Sequence, residues 1–139
     1  MTLFFRALAP LLAADEAPTT LPESIAAAFY GDPDKSHREA GLRWLQRWWR
    51  RARDEHGSAE RATEVAADMQ RRNPKYVLRN WLAQTAIEAA EQGDVDQLHR
   101  LLRVLEKPFD EQPGEDELAG KRPEWARHKP GCSALSCSS

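Results

Sequence analysis

Residues 73–109, NPKYVLRNWLAQTAIEAAEQGDVDQLHRLLRVLEKPF, decide the fold of this chain. Within them Leu78, Trp81, Leu82, Thr85, Ala86 and Ala89 recur at the three-and-four spacing that lines one face of an α-helix. Asn73 and Pro74 read as its start: an Asn side chain can accept from an unpaired backbone N–H, and proline loses nothing at a first helical position. Gly93 reads as its stop. Asp94 then caps a shorter helix whose buried face is expected to be Val95, Leu98, Leu101, Leu102 and Leu105. With one residue between them, the two helices should pack as an antiparallel hairpin.

Upstream, the same signals repeat. Residues 21–30 read as a short helix with Pro22 in its first turn and Gly31 as its stop, followed by the turn formers Asp32, Pro33 and Asp34. Ser36 and Glu39 have the spacing of a capping box, in which hydroxyl and carboxylate each satisfy a backbone donor. The helix they open runs to about His56, Gly57 ends it, and Ser58 caps the next, whose apolar face is Ala62, Val65, Ala66 and Met69. Residues 3–12 are mostly apolar. Arg6 and Pro10 interrupt them and no basic run precedes them, so a buried amphipathic helix is favoured over a signal peptide.

Downstream of Pro108 the pattern stops. Asp110, Glu111, Glu115, Asp116 and Glu117 gather around Pro113 and Gly114, which reads as a solvated acidic linker over 108–122. Residues 123–139 carry Pro123, Pro130 and Gly131 into a serine-rich end, an irregular or extended tail that Trp125 is expected to anchor. The expectation is an all-α chain: an irregular bundle of five or six helices over 1–107, the linker, and the tail.

The 139 residues, 41% hydrophobic, are expected to build a single core, and a net charge of −2 commits the chain to no polyanion and no acidic membrane surface. No window approaches the roughly 18 apolar residues of a membrane span. Two cysteines close together are too few for a secreted disulfide scaffold, which makes the cytoplasm the expected compartment.

Charge is local. Residues 35–53 hold seven Lys or Arg against one Glu, a net of +6, together with three tryptophans. On a helix, however, Leu42, Trp44, Leu45, Trp48, Trp49 and Ala52 share one arc and Arg43, Arg47, Arg50, Arg51 and Arg53 the other. A surface that stacks bases needs aromatics beside its cations, so a core face is favoured over a nucleic-acid site. His128, Cys132 and Cys137 supply three soft ligands where structural zinc takes four, and no metal site is assigned. The seven glycines are dispersed as helix stops and linker residues, with no phosphate-cradling loop. A terminal tail is also poor scaffolding for an oriented nucleophile. No catalytic or cofactor-binding residue is assigned to this chain.

Cys132 and Cys137 remain, read as exposed thiols near Arg127 and Lys129. Oxidation would join them to each other or join either to a distant thiol; the alternative is two inert surface cysteines. A local bridge closes six residues, a constraint of about 2 kcal/mol in the chain-entropy picture, which suits a switch better than a staple.

Three stretches together, residues 73–94 (NPKYVLRNWLAQTAIEAAEQGD), the KPF of 107–109 and the terminal LSCSS of 135–139, resemble selenoprotein O, whose bacterial members are the YdiU-type proteins. TLFFRAL at 2–8 and the Trp-rich helix resemble the region just before. The resemblance implies a kinase-like fold that transfers AMP from ATP, with Mg or Mn, to Ser, Thr or Tyr hydroxyls of substrate proteins. It also implies redox control through the tail, where Cys137 occupies the position that carries selenocysteine in some members. The family's glycine-rich loop, nucleotide-contacting lysine and metal-binding Asp and Asn have no counterpart here. The expectation is therefore a C-terminal fragment, inactive alone, whose partner is the missing kinase-like part. The competing expectation is an independent helical interaction module that uses the Arg-rich helix or the tail to bind a protein or nucleic acid.

Overall fold

The computed structural model describes residues 2–31 and 33–132. Among them the chain is all-α, as the periodicity predicts, with seven α-helices, two of which are single turns of four residues. It divides into two compact units, Met1–Asn73 and Pro74–Ser139. This division differs from the sequence expectation of a helical region over 1–107 followed by a linker and a tail.

The first unit holds α1 (Thr2–Ala13), α2 (Glu23–Ala26), α3 (Lys35–His56) and α4 (Ala59–Arg72). The capping box proposed at Ser36 is not the start of α3. The cap lies two residues earlier: Asp34 is extended at φ −62°, ψ 172°, and its side chain accepts from the His37 N–H at 2.9 Å. At the other end Gly57 adopts φ +72°, which ends α3, and the Ser58 hydroxyl accepts from Arg61 N–H to open α4, both as predicted.

Ala9 and Leu12 of α1 bury themselves against Ala62 and Ala66 of α4, where small side chains let the two helices approach closely. Leu8, Ile25 and Leu45 form a second cluster, and Trp48 packs against both. Two polar ties hold α1 in place. The Trp49 indole donates to the Leu11 carbonyl at 2.9 Å, and the Arg6 guanidinium donates to the carbonyls of Gln70 and Asn73, the otherwise unpaired acceptors at the end of α4.

The second unit departs more from expectation. Asn73 ends a helix instead of starting one: its backbone N–H and its side-chain amide both donate to the Met69 carbonyl. Pro74 explains this, because the residue before a proline is driven out of the helical region; Asn73 sits at φ −113°, ψ 107°. The chain then runs without helix to Arg79, where α5 (Asn80–Glu91) begins. On the way Lys75 and Tyr76 donate their N–H groups to the Pro108 carbonyl, and the Tyr76 ring is buried.

Four residues, not one, separate α5 from α6 (Asp96–Leu105), and the Asp94 carboxylate accepts from Asp96 N–H before the helix starts. Leu101 and Val104 are the buried residues of α6. The predicted members Val95, Leu98 and Leu102 are exposed, so the buried face is rotated from the one expected.

The acidic segment expected to be a solvated linker is part of the core. Leu118 and Ala119, on α7 (Asp116–Ala119), join Tyr76, Leu82, Ala86, Leu101 and Val104 in one cluster. The surrounding acids are the reason the segment stays down. Lys75 binds Glu111 and Asp116, and Arg100 binds Glu115 and Glu117. Burial works against the Lys75 charge, but its bonds to Asp116 and Glu111 outweigh this and raise its pKa. Gln112 completes the attachment by donating to the Val104 and Lys107 carbonyls at the end of α6.

Candidate functional site

Of the residues expected to carry chemistry, Cys137 lies outside the described residues and Cys132 closes them. The segment leading to Cys132 holds one regular turn among bends and turns. Pro123 is followed by a 3-10 turn, Glu124–Ala126, whose Ala126 is fully buried. Trp125 stands edge-on to Trp81 of α5, with ring centroids 6.2 Å apart at 90°, and so does anchor this stretch. The Lys129 ammonium lies 5.4 Å from the Trp125 ring centroid and 2.6 Å from the Glu88 carboxylate, which also accepts from Gln84. Gly131 adopts φ +79°, and a Cβ there would collide with the Gln84 amide. Only glycine fits both the turn and the close approach.

Cys132 then folds back, donating its N–H to the Lys129 carbonyl, and its free thiol is 4% exposed. This corrects the expectation of an exposed, cation-activated cysteine. Lys129 is paired with Glu88 and Arg127 with Glu124, so the two cations nearest in sequence are committed to carboxylates. Glu88 responds to its neighbours: the bond from Lys129, and then that from Gln84, holds its carboxyl below the usual glutamate range. Sequence reasoning missed Gln84 and Glu88. Their signal was present, since with Trp81 they form a stripe at positions 81, 84 and 88 beside the apolar face of α5.

The Arg-rich helix divides as the helical arc predicted, with two exceptions, an exposed Trp44 and a half-buried Arg53. Trp48 and Trp49 are half-buried, Trp49 with its indole N–H satisfied and the Arg53 guanidinium 5.4 Å from its ring centroid. Trp44 is 41% exposed and stacks on Trp48 at 6.4 Å. Among the described residues no three His, Cys, Asp or Glu side chains come together as metal ligands, so those residues do not fit a divalent-metal site. Nor is any helix there long and apolar enough to cross a membrane.

No family model matches the chain. Relatives do. It is 42% identical over 147 residues to protein nucleotidyltransferase YdiU of Rhodopirellula baltica and 48% identical over 140 residues to that of Tolumonas auensis, with its whole length covered in both. A 96-residue match to the Nitrosospira multiformis protein of the same name reaches 57% and covers 69% of the chain. The chain belongs to the YdiU family. It spans about a quarter of the length of the YdiU relatives it matches, 27% and 26% for the first two, and aligns with their C-terminal quarter. The resemblance in residues 73–94, 107–109 and 135–139 thus extends across the whole chain.

Proposed function

We propose that this chain serves as the C-terminal helical part of a protein adenylyltransferase, which moves AMP from ATP to Ser, Thr or Tyr hydroxyls of other proteins. The observation that carries this reading is the full-length match to YdiU nucleotidyltransferases of which it spans only about a quarter. On this reading the ATP and divalent-metal sites belong to the kinase-like region that precedes this stretch in the relatives. No catalytic role is assigned to any residue here, and the chain works in the cytoplasm. The partial burial of Trp48 and Trp49 supports this reading over a nucleic-acid module on α3, whose exposed tryptophan is Trp44.

Cys137 and Cys132 are proposed as its redox thiols. Joined by a disulfide-class oxidant, the two thiols give up two protons and two electrons as one S–S bond forms and the oxidant's S–S bond is reduced to two thiols. Burial of Cys132 makes this conditional on release of the segment that holds it. Inertness in the folded state is therefore part of the mechanism.

The test is a chimera in which the chain replaces the C-terminal stretch of the Tolumonas auensis relative. Expected are AMP adducts on substrate proteins, read by mass, none from the chain alone, and loss of oxidant sensitivity on Cys137→Ser. Adducts made by the chain alone, or a folded, ATP-binding chimera that makes none, would overturn the reading.

A further inference from the structure

The first unit carries a cleft of about 630 Å3 that the proposed chemistry leaves unused. Phe4 of α1, Leu21 before α2, Phe29 and Tyr30 after α2, and Trp44 and His37 of α3 line it. Three of the rings are unusually open: Phe29 is 53% exposed, Tyr30 64% and Trp44 41%. Single exposed aromatics are ordinary on a protein surface, but several on one concave wall are not. The wall is also preformed. The Phe4 ring meets Phe29 at 5.8 Å, Trp44 at 5.7 Å and Phe5 at 5.6 Å, in tilted and edge-on contacts that fix each ring against the next.

The occupant of such a cleft is constrained by charge. Among the described lining residues the carboxylate, Asp34, already accepts from the backbone and ring of His37, the latter at 2.8 Å, so a charged ligand finds no unengaged acid among them. Apolar side chains of a polypeptide suit it better, because aromatic, preformed surfaces of this kind are where protein interfaces concentrate their affinity.

Position identifies the source of that polypeptide. In the relatives about three quarters of the chain lies outside the matched stretch and precedes it. A chain arriving from there enters at the start of α1, one turn from Phe4 and Phe5. We propose that the cleft of Phe4, Phe29, Tyr30 and Trp44 is the seat for apolar side chains of the region that precedes this stretch in the longer YdiU proteins. This rests on the reading that the stretch works as part of such a protein.

Side-chain footprinting by hydroxyl radicals tests it, comparing the chain itself with the chimera in the Tolumonas auensis relative. Expected is a several-fold fall in labelling of Phe29, Tyr30 and Trp44 in the chimera. Equal labelling of those rings in both would overturn the proposal, while AMP transfer by the same chimera would still judge the family reading separately. Protection that instead grows with the concentration of the chain alone would also overturn it, in favour of a second copy. The stretch aligned with residues 29–44 in the intact Tolumonas auensis protein gives an independent measurement: protection there agrees with the proposal, and open labelling contradicts it.

Discussion

Cys132 is held shut by residues far from it in sequence. Lys129 to Glu88 is a half-exposed ion pair, of small value to global stability but well placed to keep a short segment down. Glu88→Gln or Lys129→Ala should therefore speed alkylation of Cys132 several-fold, measured by mass after timed exposure to iodoacetamide, with the midpoint of thermal unfolding nearly unchanged. Gly131→Ala should do the same through strain, since the added methyl meets Gln84. Acid should act in the same direction. A carboxyl whose pKa is lower in the folded state than in the unfolded one contributes stability above the unfolded value, and that stability is lost as pH falls through the folded one. Fluorescence of Trp125 should report release of the segment as pH falls below the usual glutamate range, and the step should flatten in Glu88→Gln. None of this was legible from the tail itself. A cysteine two residues from a proline and three from a lysine reads as exposed, and its burial depends on α5, more than forty positions earlier.

At the scale of elements, helix stops were easier to read than helix starts. Gly57 announces itself because only a residue tolerant of positive φ continues the chain there, and Gly93, at φ +87°, does the same after α5. Asn73 and Pro74 carried a start signal that is equally a stop signal, and which one wins is decided by whether Tyr76 has a core to enter. It does. Tyr76→Phe, which removes only the hydrogen bond to the Gln112 carbonyl, should cost about 1 kcal/mol in urea unfolding. The α7 turn was illegible for a different reason. Leu118 and Ala119 are two apolar neighbours among acids, too few to show a period, yet Leu118 is 6% exposed. Leu118→Ala should cost roughly 2–4 kcal/mol by the same measurement, far more than expected for a linker position.

Across the whole molecule, helical class was written plainly in the spacing of apolar residues, whereas the grouping of helices was not. The join at Asn73 and Pro74 involves no glycine-rich or low-complexity run, and the acidic stretch after Pro108, which looks like a boundary, is tied into the second unit by Lys75 and Arg100. Arg6 supplies a last consequence. Its guanidinium spans from the second turn of α1 to the carbonyls of Gln70 and Asn73, so a single side chain ties α1 to the end of α4. One side chain thus closes α1 onto the end of α4, with α2 and α3 lying between them in the chain. Bridging residues 6 and 73 with a short Gly-Ser link should leave amide-exchange protection at Leu82, Leu101 and Val104 as it is in the intact chain.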